Sequence, residues 1–159
     1  MRAGLGYDIH AFSDDQSRPL ILGGVTFEQG PGLHGHSDAD VVLHAVSDAM
    51  LGAFGLGDIG DHFPPGDPRW HNADSRDLLS AVKRLVPVKS TIFNVDITVI
   101  AERPLISPKR RSMRESIAAL LEVTVDRVSV KATTNEGLGA IGRGEGIAAL
   151  ATILMGTEE

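Results

Sequence analysis

The sequence contains no cysteine, so it can form neither a disulfide bond nor a structural zinc site built on thiolates. Aromatic residues make up only 4% of the chain, with one tryptophan and one tyrosine, and there is no extended basic run. Nucleic-acid binding is therefore disfavoured. The net charge is −6, so an anionic ligand would need a local source of positive charge.

Long hydrophobic runs are also missing. The longest apolar stretch, residues 147–155, is too short to span a bilayer, and residues 1–8 lack the apolar core of a signal peptide. A cytoplasmic protein without membrane contact is expected. The 159 residues, 42% of them hydrophobic, suffice for one domain with a substantial core. We find no internal repeat and no linker, and predict a single domain over residues 1–159.

The hydrophobic pattern predicts mixed strands and helices in the order β-β-α-α-β-α-β-β. Strands are expected over residues 2–12, 20–27, 93–101, 127–134 and 147–155. Helices are expected over residues 37–55, 75–86 and 107–122, with Ser37 as the N-cap of the first and Ser107-Pro108 opening the third. Residues 55–67 are rich in glycine and proline and predict a long loop. Residues 135–146 hold five glycines and predict an irregular segment.

Two short motifs suggest a metal site. Asp8 and His10 are two residues apart on a predicted strand, which places both side chains on one face. His44 lies one helical turn after Asp40, and Asp40 is a candidate for orienting its imidazole. Three nitrogen and oxygen ligands with an open fourth position suit a catalytic zinc ion. Taken singly, each motif is more typical of a surface aspartate and a histidine, or of a hydrogen-bonded or solvated histidine, than of a metal site.

A third motif leads from a predicted strand into a glycine-rich loop. Thr133 and Thr134 end the strand, and the loop carries Glu136 and Arg143. Hydroxyls, free backbone N–H groups and an arginine can cradle phosphate oxygens. The alternative is a flexible loop that closes a hairpin. No Walker motif is present.

These motifs belong to a larger pattern. Six segments follow one another along the chain: GYDIHAF, HGHSDADVVLHAVSDAMLGAFGLGDIG, FPPGDPRW, ADSRDLL, NVDITVIAERP and VKATTNEGLGAIGRGEGIA. Over essentially its full length the sequence closely resembles the 2-C-methyl-D-erythritol 2,4-cyclodiphosphate synthase family of the non-mevalonate isoprenoid pathway. The resemblance implies a homotrimer with active sites between subunits. Each subunit would be an α/β (α+β) fold, a mixed β-sheet with helices packed on one side.

The resemblance also implies metal ligands and catalytic residues. Asp8, His10 and His44 match the ligands of one zinc ion per subunit, and Glu136 matches the ligand of a second ion, Mg²⁺ or Mn²⁺. His36 and Thr134 match two residues that stabilise the transition state.

Further matched positions imply contacts with a small nucleotide-diphosphate substrate. Beside the zinc ligands and His36 lie Ile9 and Ser37. The loop for the erythritol hydroxyls and the neighbouring lid comprise Asp58, Ile59, Gly60, Phe63, Pro64, Pro65, Gly66 and Asp67. The cytidine pocket comprises Ala101, Pro104, Leu105, Ile106, Ser107, Ala132, Thr133 and Asn135. Ala140 and Arg143 match positions near the trimer axis.

The implied activity is that of a phosphorus–oxygen lyase. The 2-phosphate of 4-diphosphocytidyl-2-C-methyl-D-erythritol 2-phosphate would attack the β-phosphorus, closing a cyclic diphosphate and releasing CMP. Phosphoryl transfer of this kind needs positioning and charge stabilisation rather than a protein nucleophile. Two other classes stay open, a metal-dependent phosphohydrolase and a non-catalytic trimeric metal-binding module.

Three positions depart from the family pattern. Pro65 stands where an aspartate is familiar, and Leu105 replaces a lysine of the cytidine pocket. Ala140 replaces an aromatic residue that lines a trimer-axis cavity in some members, whereas Arg143 and Glu145 are kept. The change at Ala140 disfavours binding of an isoprenoid diphosphate in that cavity.

Overall fold

The computed structural model describes residues 1–157, which form six strands, three long helices, two single-turn helices and three short 3₁₀ turns. The strands are β1 (Arg2–Ala11), β2 (Leu20–Leu22), β3 (Val25–Phe27), β4 (Ser90–Ile100), β5 (Val128–Thr133) and β6 (Gly146–Thr157). The helices are α1 (Val41–Phe54), α2 (Ile59–His62), α3 (Ser75–Leu85), α4 (Arg110–Leu121) and α5 (Gly139–Gly142).

Four of the strands form one mixed sheet in the order β1-β6-β4-β5. The central strand β6 is antiparallel to both β1 and β4, and β5 is parallel to β4. A parallel pair needs a crossover, which α4 supplies between β4 and β5. The mixed α+β fold predicted from the sequence is confirmed.

The three long helices cover one face of this sheet. Helix α1 packs on β1 and β6, α3 packs on α1, and α4 packs on β5. Because α1 is enclosed by the sheet and by α3, it buries 11 of its 14 residues. On the opposite face of the sheet, Leu5 and Tyr7 remain 65% and 51% exposed.

Two glycines of β1 allow α1 to approach the sheet closely. A Cβ atom at Gly6 would lie 1.9 Å from the carbonyl oxygen of Ala45, and one at Gly4 would lie 1.8 Å from that of Ala49. Any side chain at these positions would push the helix away. The close contact is what brings the start of α1 up to the end of β1.

The single strand predicted over residues 20–27 is wrong. The chain forms a hairpin of β2 and β3, turning at Gly23 and Gly24, which have φ values of 62° and 73°. Two adjacent glycines adopt this left-handed conformation without the steric cost that other residues incur. The carboxylate of Asp40 accepts hydrogen bonds from their N–H groups at 2.9 and 2.6 Å and holds the turn against the start of α1.

The predicted start of the first helix is also wrong. Asp40, not Ser37, is the N-cap of α1, accepting from the N–H groups of Val42 and Leu43 at 3.1 Å. Residues 37–40 therefore belong to a loop. The third helix was predicted to begin at Ser107, but Ser107–Lys109 form a 3₁₀ turn and α4 begins at Arg110. Residues 55–67, predicted as a loop, contain α2, and residues 135–146, predicted as irregular, contain α5.

Within residues 1–157, none of the helices combines the length and apolarity that a membrane crossing requires.

Candidate metal centre and active site

Asp8, His10 and His44 converge at the junction of β1 and α1. Asp8 Oδ2 lies 3.0 Å from His10 Nε2 and 2.9 Å from His44 Nδ1, and the two imidazole nitrogens are 3.3 Å apart. As predicted, Asp8 and His10 share one face of β1, and in the structure this is the face covered by α1. The structure thus brings the three predicted ligands together as a group that could hold a metal ion.

The spacing and chemistry of this group fit zinc. Donor atoms about 2.0–2.1 Å from a tetrahedral zinc ion lie about 3.3 Å from one another, close to the distances seen here. In the part of the chain that the structure describes, no fourth histidine or carboxylate joins the group. Two imidazoles and one carboxylate would therefore leave a coordination position open for substrate, as in catalytic zinc sites.

Mutual contact shifts the pKa values of Asp8 and His10. Burial alone would raise the pKa of Asp8, but hydrogen bonds and charge from His10 and His44 outweigh it and hold that pKa well below its usual range. Burial opposes the charged form of His10. The hydrogen bond and charge of Asp8 outweigh that burial and raise the pKa of His10 above its ordinary value of 6.5. Asp8 is thus ionised and suited to bind a cation, while a proton on His10 would compete with a metal ion.

Each histidine is held through the nitrogen that does not face the group. His10 Nδ1 donates to the backbone carbonyl of His34 at 2.8 Å, which leaves Nε2 free as a ligand. His44 Nε2 lies 2.9 Å from Ser75 Oγ and 3.2 Å from Ser37 Oγ. Such partners orient metal-binding imidazoles.

The expectation that Asp40 orients His44 is wrong. Both oxygens of Asp40 accept from backbone N–H groups at the β2–β3 turn and at the start of α1. Burial raises the pKa of this carboxyl to about 6, although those hydrogen bonds act in the opposite direction. Asp40 therefore stabilises the fold around the site, and Ser75 occupies the position beside His44.

A cleft of about 360 Å³ opens beside the three ligands. Six further predicted site residues line it: His36, Ser37, Ile59, Gly60, Phe63 and Pro65. Four lining residues were not predicted: His34, Gly35, Trp70 and Leu78. Trp70 packs edge-on against Phe63 with ring centroids 4.9 Å apart. The sequence did offer a signal for Trp70 as a site residue, because it is the only tryptophan of the chain and lies three residues after Asp67.

Other residues of the predicted erythritol loop and lid have structural partners of their own. Asp58 caps α2, accepting from the N–H of Asp61 at 3.0 Å. Asp67 caps a short turn and pairs with Arg69. Pro64 and Gly66 are exposed between them. Ile9 is 46% exposed and, by the strand period, lies on the sheet face opposite to Asp8 and His10.

A second cluster forms where β5 ends. The exposed Glu102 carboxylate accepts from the N–H groups of Asn135 and Gly137 at 2.9 and 3.4 Å, which fixes the start of the glycine-rich loop. Glu136 has a left-handed backbone, with φ of 52°, and the Thr134 hydroxyl lies 3.4 Å from its carboxylate. Glu102 lies within the 101–107 segment expected to form the cytidine pocket, but its role in holding this loop was not predicted. None of these residues lines the cleft beside Asp8.

The predicted cytidine pocket surrounds this second cluster. The N–H of Ala101 donates to the carbonyl of Thr133 at 3.0 Å, joining the ends of β4 and β5. Its other members divide by exposure: Pro104 and Ile106 are buried, and Leu105, Ser107 and Ala132 are exposed. Ala140 is exposed on α5, and Arg143 forms an exposed ion pair with Glu145 at 2.6 Å. A single chain thus carries two separate clusters of predicted site residues.

Comparison with known proteins gives one consistent result. The YgbB family model matches residues 1–156. The 2-C-methyl-D-erythritol 2,4-cyclodiphosphate synthase of Symbiobacterium thermophilum is 56% identical over 156 residues, covering 98% of both chains. The bifunctional IspDF from Campylobacter jejuni has a TM-score of 0.92 and 40% identity over 99% of this chain and 42% of its own. The CDP complex of IspF from Plasmodium falciparum has a TM-score of 0.86 and 36% identity, covering 99% and 97% of the two chains. Matched along nearly its whole length in both sequence and fold, this chain belongs to the YgbB family.

Proposed function

We propose that this protein is a 2-C-methyl-D-erythritol 2,4-cyclodiphosphate synthase. It converts 4-diphosphocytidyl-2-C-methyl-D-erythritol 2-phosphate to the cyclic diphosphate and CMP. The observation that carries the proposal is the convergence of Asp8, His10 and His44 beside an open cleft, in a chain whose full-length relatives bear that name.

The reaction requires the protein to align the reacting groups, and it forms no covalent bond to the protein. An oxygen of the 2-phosphate forms a bond to the β-phosphorus, the bond from that phosphorus to the bridging oxygen breaks, and CMP leaves with the bridging oxygen. No water is consumed and no proton must be removed from the attacking phosphate. Attacker and target are both anionic, so their approach must be stabilised by positive charge.

The metal centres supply that charge when bound, as Lewis acids on the phosphate oxygens. Asp8, His10 and His44 would hold zinc, and Glu136 would hold Mg²⁺ or Mn²⁺. His36 and Thr134 stabilise the transition state, and Ser37 binds substrate beside His36. The apolar wall of Ile59, Phe63 and Trp70 excludes water from the reacting groups, which favours cyclisation over hydrolysis.

Two observations on the single chain support a homotrimer with shared active sites. On the sheet face opposite to the helices, β1 exposes the apolar side chains of Leu5, Tyr7 and Ile9, as expected for a surface that meets another subunit. The cluster of Thr134 and Glu136 lies outside the cleft that holds His44. In the trimer, the cleft of one subunit and the β5 end of its neighbour form one complete site, with the cytidine pocket at residues 101–107 and 132–135.

Phosphorus NMR tests the activity. We expect the protein with Zn²⁺, Mg²⁺ and substrate to yield two coupled cyclic-diphosphate signals and CMP, and a chelator to abolish both. Inorganic phosphate or a linear product would replace the proposal with a phosphohydrolase. Absence of turnover together with metal-dependent stability would indicate a binding module.

Mixing two inactive variants tests the shared site. His44→Ala and Glu136→Ala would be co-expressed with different tags, and the mixed trimers purified. If each site draws its residues from two neighbours, every mixed trimer has one intact site out of three, which restores about one third of wild-type activity. Activity no greater than that of the separate variants would place both residues in the site of one chain.

Two other expectations stay predictions. The cytoplasmic location follows from the sequence features described above. The small side chain of Ala140 is expected to leave the trimer axis without the aromatic lining that would favour an isoprenoid diphosphate.

A further inference from the structure

His36 and Ser37, two predicted site residues that line the cleft, lie in a loop rather than in a helix or strand. We call residues 36–39 the site loop. Ala39, at its end, has a left-handed backbone with φ of 58°. A residue with a Cβ atom adopts this conformation at a cost in energy, and the conformation persists only where surrounding contacts hold it. The site loop therefore depends on other segments for its shape.

Two contacts to the site loop come from the segment that precedes α3. The carbonyl of His36 accepts from the N–H of Asn72 at 2.6 Å. The N–H of Asp38 donates to the carbonyl of Ala73 at 2.9 Å. These hydrogen bonds hold the backbone on either side of Ser37, whose own carbonyl needs another partner.

Arg18, in the connection between β1 and β2, reaches the middle of the site loop. Its Nη2 group donates to the carbonyl of Ser37. The backbone of Arg18 is itself held, because its N–H donates to the carbonyl of Asp15 at 3.2 Å and its carbonyl accepts from the N–H of Gly32 at 3.0 Å. A hydrogen bond from a charged donor is stronger than one between neutral groups, so an anchored guanidinium restrains the loop firmly.

The guanidinium of Arg18 is not used in an ion pair. Among residues 1–157, none of the ion pairs includes Arg18, and its Nε is buried without a hydrogen-bond partner. A partly buried cation needs strong contacts to offset its lost hydration. The hydrogen bond to the Ser37 carbonyl supplies such a contact, and it links the cation to the site loop instead of to a carboxylate.

We infer that Arg18 is a positioning residue, whose guanidinium holds the site loop in the shape that presents His36 and Ser37 to the cleft. The inference rests on the proposed function for what those two residues do to substrate. The shape of the loop, however, belongs to the free protein and is measured without substrate.

Arg18→Ala removes the guanidinium and leaves room for a small replacement. A cavity of about 360 Å³ already lies beside Arg18, and the carboxylates of Asp15 and Asp38 in its lining favour entry of a cation. We expect kcat to fall by about 10–100-fold, as for loss of a charge-assisted hydrogen bond. Zinc content should not change, because Arg18 is not among the converging ligands. Methylguanidinium should restore much of the activity, and methylammonium, which lacks the planar fork, much less.

Hydrogen–deuterium exchange follows the site loop without catalysis. The N–H groups of Asp38 and Asn72 take part in its hydrogen bonds. In Arg18→Ala we expect them to exchange at least about tenfold faster, and methylguanidinium to slow them again. Arg111→Ala is the matched control, because this arginine is exposed and pairs with Glu115 on α4 at 2.8 Å. Neither kcat nor exchange in the site loop should change in the control.

The outcomes separate this inference from the proposed function. It is overturned if folded Arg18→Ala matches the control in site-loop exchange or in kcat, or if exchange rises throughout the chain and methylguanidinium does not slow it. If the variant fails to fold, the wild type decides. Its two Arg18 Nη groups should give separate ¹⁵N signals, since the bond to Ser37 opposes rotation, and one averaged signal would overturn the inference. The expected exchange in a protein without turnover would contradict only the synthase activity.

Discussion

The carboxylate of Asp48 accepts a hydrogen bond from the backbone N–H of Ile59 at 2.8 Å. Asp48 lies one helical turn after His44 on α1, and Ile59 is the first residue of α2, within the region predicted as the erythritol loop, and lines the cleft. One helix therefore carries a candidate metal ligand and also holds the loop proposed to bind the erythritol hydroxyls. This contact fixes the distance between the candidate metal ligands and that loop.

Asp48→Ala should free that loop without removing metal. A lost charge-assisted hydrogen bond of about 1.5 kcal/mol corresponds to roughly a tenfold rise in KM. Zinc content should stay at the wild-type level, because Asp48 is not among the converging ligands. Asp48→Asn, which keeps a carbonyl acceptor for Ile59, should bind substrate nearly normally. Steady-state kinetics and metal analysis check both, and an unchanged KM in Asp48→Ala would contradict the role.

Gly6→Ala should disrupt the packing of α1 on β1. The added methyl group would meet the carbonyl oxygen of Ala45, a backbone atom that cannot move alone. We expect a loss of at least about 3 kcal/mol in the free energy of unfolding, together with weaker zinc binding. Gly52→Ala is the matched control in α1. Its methyl group has ordinary contacts, at 3.8 Å, and should stabilise the helix by about 0.5–1 kcal/mol. Chemical denaturation measures both changes.

His44→Ala should lose zinc and nearly all activity while leaving a folded trimer. Removing a ligand should lower zinc affinity more than removing a residue that only hydrogen-bonds to a ligand, for which a loss of about 10–100-fold is expected. His71→Ala, at an exposed position outside the ligand group, should retain both properties. Metal analysis, the synthase assay and light scattering are the measurements. Full activity in folded His44→Ala would overturn the ligand assignment.

Zinc affinity should rise with pH and then level off. A ligand must be deprotonated to bind, and Asp8 is already ionised because its pKa is depressed. The pKa of His10 is raised above 6.5, so one proton competes with zinc below that raised value. Apparent affinity should change by up to about tenfold per pH unit there, and little at higher pH. Chelator competition across pH, with proton release followed by calorimetry, tests this; a flat profile through pH 6 would contradict it.

In Glu136→Gln, we expect reduced activity that higher Mg²⁺ partly restores. The amide keeps a neutral oxygen but loses the charge that favours a hard divalent cation. Glu28→Gln is a suitable control, because the Glu28 carboxylate is strongly exposed and pairs with Lys109 at 3.8 Å. Titration of Mg²⁺ in the synthase assay shows the effect. Equal Mg²⁺ dependence in both variants would refute the second-metal role.

Element type was predictable where local pattern and packing agree. The alternation in β1 and the apolar run of β6 predicted strands that the structure contains, and α3 begins and ends almost where expected. Predictions failed where several residues offer similar local chemistry. Ser37, Asp38 and Asp40 can each cap a helix, and the cap became Asp40 because its carboxylate also binds the Gly23–Gly24 turn.

The sequence alone determined the chemistry of the site: which side chains can bind a metal, that thiolates are absent, and that Asp8 and His10 share a face. These properties depend on residue type and on the strand period. The tertiary structure decided the contacts between distant segments. Only close packing of α1 on Gly6 brings His44 to Asp8, and only the packing of α3 puts Ser75 rather than Asp40 beside His44. No local rule predicts which of several nearby hydroxyls or carboxylates reaches a ring nitrogen, because that is set by the positions of whole helices and strands.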